Sequence, residues 1–304
     1  MKAELRFQFI KAAEIDHDVA FLCRLLKVTR QGYYKWLSSL ERPYKYAELL
    51  AAIMDILAED EENVSYGHYR MYLALKLKGY EGSESTVKTV MKQNKLGPGA
   101  NKRKPHSLTK SDKLAQKEDD LLDRDFYCEM PNCITITDLT EVPCSDGKLY
   151  VSTVFDCFDS MPLGLAMADN MRADLPCMSL RQAAVRFDLR GAIVHDDRGG
   201  QYTGNEFQAL VKSLGMRQSM NSAGGRCYDN ARCESNWGRF KVEKIYPVDS
   251  RKLNIDEMKE IIFRYFMSYW TNRRISTAND GMPPALKRKL YYERFAIALS
   301  AKPM

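Results

Sequence analysis

Three carboxylates stand where an α/β chain would gather them. Asp138 follows a β-rich run at Cys133 to Thr137, Asp197 follows a short apolar run at Ala192 to His195, and Glu234 falls early in a helical stretch from Asp229 to Glu243. Strand ends in an α/β sheet are where functional groups converge. Hard divalent cations take oxygen ligands and keep several waters, so carboxylates without cysteine or histidine competition suit a pair of them. Two such ions serve an in-line phosphodiester displacement, one making the attacking oxygen a better nucleophile and the other stabilising the leaving oxygen. Clustered like charges repel unless cations are bound, so such a site implies a protein stabilised by Mg2+. With 40 acidic residues among 304, however, acidic triples occur at almost any spacing, and this one selects no chemistry by itself.

Other chemistries find less support. The eight cysteines and four histidines are scattered, with no CxxC pair, so they read as buried thiols and packed side chains rather than a zinc site. A composition of 45% hydrophobic and 28% charged residues is that of a globular protein, and a net charge of +6 favours nucleic acid only slightly. Met1 to Ile10 lacks the apolar core of a signal peptide, and no uncharged apolar run reaches the roughly 18 residues of a membrane span. The expectation is a cytoplasmic protein without membrane contact.

The elements that position the carboxylates divide into a helical front and an α/β middle. His17 to Leu37 predicts two short helices across a tight turn, compatible with helix-turn-helix or a plain helical hairpin. Ala47 to Ala58, Tyr69 to Leu77 and Val87 to Leu96 predict a second helical block, the last helix opened by Ser83 or Ser85. That helix carries Lys88, Lys92 and Lys95, either a phosphate-meeting stripe or a solvated face. Asn101 to Lys113, with Lys102, Arg103 and Lys104, reads as a basic linker that either lies along DNA or is a solvated tether. Beyond it, Cys133 to Thr137, Lys148 to Phe158 and Pro162 to Ala168 predict a three-stranded meander. Then follow a helix (Asp174 to Phe187), a strand (Ala192 to His195), a helix (Asn205 to Leu214), a strand (Arg217 to Met220) and the helix that carries Glu234. Three strands followed by alternating α and β is the ribonuclease H-like order, so the fold class is α/β with a mixed sheet. The expected domains are 1–42 and 43–97, both helical and helix-turn-helix-like, 98–125 as linker and lead-in, 126–248 as catalytic core, and 249–304 as a helical extension.

Three motifs sharpen the carboxylate triple. His195-Asp196-Asp197-Arg198-Gly199-Gly200-Gln201-Tyr202 resembles the HxDRGxQY signature of the insertion-sequence-three family of transposases, in the product of their second reading frame. Tyr228-Asp229-Asn230-Ala231-Arg232-Cys233-Glu234-Ser235, followed by Lys241-Val242-Glu243, resembles that family's DNA-x-x-ES…K-x-E helix, and Thr137-Asp138-Leu139-Thr140 its first strand end. Leu121 to Phe126 resembles the lead-in to the core, His17 to Trp36 and Tyr66 to Leu96 the helical DNA-binding regions, and Tyr269 to Leu286 the closing YxNRR…PxxL element. The resemblance implies a retroviral-integrase-type catalytic core in which Asp138, Asp197 and Glu234 hold two Mg2+ or Mn2+ ions. It also implies DNA strand cleavage and transfer at the ends of a bacterial insertion sequence. Its implied partners are element-end and target DNA, and an upstream helix-turn-helix and coiled-coil protein joined by frameshift; the chain is expected to act as a homo-oligomer on DNA, nucleoid-associated when bound.

The sequence departs from the family pattern at particular residues. Between Asp197 and Glu234 lie 36 residues, one more than the family usually has, with the extra residue assigned to Asn221 to Arg226. Choosing Asp196 instead lengthens the gap and breaks the DRG alignment. Gly238 sits inside the Glu234 helix, at a cost of about 1 kcal/mol relative to alanine, and Thr135 replaces the usual aromatic before the first aspartate. Lys241, seven residues after Glu234, projects from the same face and either holds the DNA strand or is solvated. Asn230 either orients Glu234 or caps its helix; Arg198 and Tyr202 stabilise their loop or contact phosphate; His195 reads as a packed strand residue. The rival functions are a silent DNA-binding regulator or decayed transposase, and a ribonuclease H-type or repair nuclease.

Overall fold

The computed structural model describes residues 3–40, 43–98, 119–170, 174–197, 199–221 and 230–300. Arg198, the linker residues Lys102, Arg103 and Lys104, and residues 222–226 of the segment assigned the extra residue lie outside them. Two compact units part at Met54 and Asp55.

The first unit contains α1 (Ala3–Ala13), α2 (Val19–Leu25), α3 (Arg30–Leu40) and the start of α4 (Ala47–Glu59). Helix α1 is not foreseen by the sequence reading, because its apolar residues Leu5, Phe7, Phe9 and Ile10 do not fall on one clean helical face. Asp18 caps α2 by accepting from the Phe21 N–H at 3.0 Å, and Thr29 accepts from Gly32 N–H at 3.0 Å at the start of α3. Between them Lys27 takes a φ of 52°, turning the chain sharply. Ile10, Leu22, Cys23 and Tyr33 form the core of this unit, so α1 supplies the third wall that two short helices need.

In the second unit α5 (His68–Leu77) and α6 (Glu84–Gln93) precede the sheet, and Ser83 caps α6 through the Thr86 N–H. Helix α6 ends three residues before the expected Leu96. Lys95 therefore lies past the helix in a left-handed turn with φ 54°, and only exposed Lys88 and Lys92 share the helical stripe. The sheet comprises β1 (Ile134–Pro143), β2 (Lys148–Asp156), β3 (Pro162–Ala168), β4 (Ile193–Asp196) and β5 (Arg217–Met220), in the order β3-β2-β1-β4-β5. Strands β1 to β3 pair antiparallel, while β4 and β5 join parallel. This is the ribonuclease H-like mixed sheet.

One face is covered by α7 (Asp174–Arg186), α8 (Gly200–Thr203) and α9 (Asn205–Ser213), closing on Val154, Leu163, Leu180, Val194 and Phe207. Gly164 makes the α7 contact possible, because a Cβ there would sit 2.0 Å from the Ser179 carbonyl oxygen. The other face packs Ile136, Val151 and Phe155 against α10 (Ala231–Phe240) and, beyond it, α11 (Tyr246–Val248) and α12 (Ile255–Arg264). Trp237 meets Phe155 and Phe266 edge-on at centroid distances of 5.8 Å, and Phe240 lies tilted against Phe266 at 4.9 Å. The expected Asp229 to Glu243 helix is α-helical only to Phe240 and widens into a π-turn over Lys241–Ile245. Helix α13 (Pro284–Ser300) closes the chain, and its Arg288 binds Asp159 at 2.8 Å and Asp156 beside it, pinning the β2–β3 turn.

The π-turn coincides with a buried ionic hub. Glu243 accepts from Arg274 Nε at 2.7 Å and Nη2 at 2.6 Å, from Arg70 Nη1 at 2.8 Å and from Tyr265 Oη at 2.9 Å. Around it Lys244 donates to Glu62 at 2.9 Å, Arg273 to Asp60 at 2.9 Å, and Tyr269 Oη to Asn63 at 3.1 Å. The segment from Asp60 to Arg70 is thereby fastened to the end of the Glu234 helix. Burial by itself raises the Glu243 carboxyl, but Arg274 foremost, with Arg70 and Tyr265, holds it down to about 2.

Two measurements follow from this packing. Gly164→Ala forces β3 away from α7 and lowers unfolding free energy by about 3 kcal/mol in a denaturant titration. Glu243→Gln leaves the Arg274 cation buried without its counter-charge and costs about 3–5 kcal/mol. Since the folded value lies below the usual 4.5, the Glu243 contribution is complete above that pH and is lost as pH falls toward about 2. Acid-unfolding curves therefore show this loss in wild type and lack it in Glu243→Gln.

Candidate active site

Strand register sets the site. The parallel pairs Ile134↔Ile193, Thr135↔Val194 and Ile136↔His195 bring β1 and β4 together. Two residues farther on, the same register sets Asp138 against Asp197. The sequence reading puts Asp138 after a strand end; instead β1 runs on to Pro143 because β2 continues to pair with it, Asp138 opposite Thr153. Asp138 is still beyond the last residue paired with β4, so on that side it meets Asp197 rather than a backbone ladder. Alternation puts Asp138 on the face of Ile136, which α10 covers through Cys233, Trp237 and Phe240.

Both aspartates are half-buried. Burial, followed by the charge of Asp197, pushes the Asp138 carboxyl well above the usual carboxylate range, against the Leu139 N–H that donates to it at 2.7 Å. Asp197 is raised by burial and opposed by the Gly199 N–H, which donates at 2.8 Å. Glu234 is exposed on α10; partial burial raises it, and its charge reaches Asp138 more weakly than that of Asp197. Lys241, half-buried, is lowered by burial and held up by Asp138 and Glu141. Among the described residues, no three of His, Cys, Asp and Glu are close enough together to hold one metal ion. The arrangement is thus an aspartate pair with Glu234 and Lys241 alongside. Cys233 lies near all three carboxylates, but burial and those charges keep its thiol protonated, leaving oxygen donors only.

Asp196 points the other way. It is fully buried and accepts from Gln218 Nε2 at 3.0 Å, a donor that also reaches the Tyr202 carbonyl at 3.1 Å. His195 is buried as expected, its ring nitrogens 2.9 Å from Ser219 Oγ and 3.0 Å from Asn221 Oδ1. Tyr202 is buried against Phe207 at 5.2 Å, in the core beneath the aspartates rather than on a phosphate-facing surface. Asn230 occupies the cap position of α10 without a capping hydrogen bond; its amide donates to the Thr137 carbonyl at 3.5 Å, tying the helix start to the residue before Asp138.

Arg232, which the sequence reading passes over, donates to the Phe126 carbonyl at 2.9 Å and to the Cys157 carbonyl, so the turn bearing Glu234 is pinned to the lead-in and to β2. In the sequence Glu243 stands out only as part of a motif; its opposite-charge partner Arg274 sits in the closing motif, and that complementarity is the available signal.

Residues 129–225, spanning β1 to β5, match the integrase core domain family. Transposase InsF for insertion sequence IS3A of Escherichia coli (strain K12) is 29% identical over 284 residues, 92% of this chain and 97% of that protein. The putative transposase InsK for insertion sequence element IS150 of the same strain is 30% identical over 272 residues, 89% of this chain and 93% of that protein. A chain of the simian T-cell lymphotropic virus intasome, solved with the PP2A regulatory subunit B56 gamma, aligns with 71% of this chain and 69% of its own at 16% identity and a TM-score of 0.45. Among the described residues no helix is long and apolar enough to cross a membrane. With identity of this order sustained over nearly the whole of an insertion-sequence transposase, and an integrase core laid over its mixed sheet, the chain belongs to the insertion-sequence-three family of DDE transposases, the polynucleotidyl transferases of DNA transposition.

Proposed function

We propose that this chain cuts and rejoins DNA at the ends of a bacterial insertion sequence, with Asp138, Asp197 and Glu234 as its catalytic and metal-holding residues. The observation that carries the reading is the Asp138–Asp197 pair: strand register sets two like charges against each other, beside Lys241, in a member of a transposase family. An all-oxygen donor set whose repulsion a divalent cation relieves suits Mg2+ or Mn2+, two ions in all. When bound, such ions supply charge neutralisation and an activated oxygen for in-line attack on a phosphodiester.

The remaining work falls to the chain. The Leu139 and Gly199 N–H groups hold the two aspartates in fixed rotamers, so little reorganisation accompanies binding. Glu234 closes on the pair from the exposed side of α10, whose start Arg232 and Asn230 anchor to β1 and β2. Lys241 holds phosphate oxygens of the strand beside the aspartates. His195, with both ring nitrogens engaged, serves the strand rather than the proton transfer.

DNA is gripped by Lys88 and Lys92 on α6, with Lys95, Lys102, Arg103, Lys104 and Arg198 adding phosphate contacts. Residues 1–42 and 43–97 act as DNA-binding modules, 98–125 as the linker and lead-in, 126–248 as the catalytic region and 249–304 as its extension. An upstream helix-turn-helix and coiled-coil protein, joined by frameshift, brings the chains together as a homo-oligomer on DNA, at the nucleoid in the cytoplasm.

With labelled element-end DNA, Mg2+ and the upstream protein supplied, wild type nicks the strand. Asp197→Asn loses more than about a hundredfold in rate, beyond what an outer-shell partner contributes; equal rates would sink the assignment. In differential scanning fluorimetry, Mg2+ raises the melting temperature of wild type. Asp138→Asn, relieved of the like-charge pair, melts higher than wild type without metal and no longer responds to it; an unchanged Mg2+ response would contradict the site.

A further inference from the structure

The cysteines read from the sequence as small buried side chains, and most of them are. Of the seven among the described residues, all free, Cys23, Cys157, Cys177 and Cys233 are buried, while Cys128, Cys133 and Cys144 are partly exposed. Cys144 lies in the turn after β1, its Sγ 3.7 Å from the Val142 carbonyl. Cys128 and Cys133 share another turn, the one that leads into β1.

Within that turn Cys128 Sγ donates to the Met130 carbonyl at 3.0 Å and Cys133 Sγ to the Pro131 carbonyl at 3.7 Å. Both thiols thus face the same bend, and they lie within hydrogen-bonding reach of each other. The bend is held from beneath. Asn132 takes a φ of 66°, its N–H donates to Asp156 Oδ2 at 2.8 Å, and Arg288 Nη1 donates to its side-chain oxygen at 3.0 Å. The Phe126 carbonyl gripped by Arg232 is two residues before Cys128, and the same guanidinium holds the Cys157 carbonyl, so the two thiols belong to the strap that pins the turn carrying Glu234. A half-exposed thiol is open to oxidants in solvent, and a second thiol fixed beside it captures the first oxidation product before it goes further.

We propose that Cys128 and Cys133 form a reversible modification site, a dithiol that a peroxide closes into a disulfide. The Cys128 sulfur attacks one peroxide oxygen, the O–O bond breaks, and a sulfenic acid and one water result. The Cys133 sulfur then attacks that of Cys128; the S–S bond forms, the S–O bond breaks, and the hydroxyl leaves with the Cys133 proton as a second water. Two thiols and one peroxide give one disulfide and two waters. Burial, and after it Cys128, pushes the Cys133 thiol up, which makes Cys133 the resolving partner rather than the first to react. Turning the side chains off their carbonyl acceptors brings the sulfurs from hydrogen-bonding reach to the bonded separation of about 2.05 Å.

The test treats the reduced full chain with hydrogen peroxide, blocks the remaining thiols with N-ethylmaleimide and maps the peptides by mass without reduction. Cleavage after Glu129 separates the two cysteines unless a disulfide joins them. Labelling of Cys128 and Cys133 is expected to fall together by at least about tenfold, with the joined fragments two hydrogens lighter and both labels restored by dithiothreitol, while Cys144 keeps its label. In Cys128→Ser, Cys133 stays labelled after peroxide. Unchanged labelling at both sites, a loss that dithiothreitol does not reverse, or a link to a different cysteine or to a second chain overturns the inference. So does a Cys128–Cys133 link that forms as fast in urea as in the folded chain, since the fold then contributes nothing to it.

Discussion

Parallel pairing of β1 with β4 forces two carboxylates together. Backbone hydrogen bonds through Ile136 and His195 leave Asp138 and Asp197 opposed where β4 ends, each half-buried and each raised by burial, with the charge of Asp197 raising Asp138 further. Left to themselves two such groups separate or take up a proton. The sheet prevents the first, and partial burial favours the second. The site is in this sense a place where folding energy from the surrounding core is spent on holding repelling groups in readiness.

What surrounds the pair serves to keep it in place. The face bearing Asp138 is closed by α10 through Cys233, Trp237 and Phe240, and the edge-on and tilted ring contacts around Phe155 and Phe266 fix how that helix lies on the sheet. At the start of α10, Arg232 and Asn230 bind carbonyls of the lead-in, β2 and β1; at its far end Glu243 gathers Arg70, Arg274 and Tyr265. Glu234 and Lys241 lie between these two anchors. The ionic hub also fastens the Asp60 to Arg70 segment to the same helix end, so the part of the chain leading into α5 and α6 and the part carrying the carboxylates form one compact unit.

Much of this was legible in the sequence. The order of three strands followed by alternating helices and strands fixed the sheet, and the strand-end motifs carried the two aspartates, since both depend on local pattern. Contacts between distant residues were not legible. The length of β1 is decided by its pairing with β2, so Asp138 sits within a strand rather than after one. Asn230 has the composition of a cap, but the Thr137 carbonyl 93 positions away claims its amide. Spacing places Lys95 on the basic stripe, but spacing does not register the left-handed turn that ends α6 before it. Glu243 and Arg274 are 31 positions apart, and only their opposite charges hinted that they meet.

The proposed reaction needs Asp138, Asp197 and Glu234 to hold its metal ions. Anomalous scattering from a crystal of the chain bound to element-end DNA and Mn2+ tests it most directly. The account predicts two manganese peaks, ligated among these three carboxylates with Asp197 rather than Asp196. Peaks coordinated by other residues, or Asp196 turned into the site in place of Asp197, would contradict it.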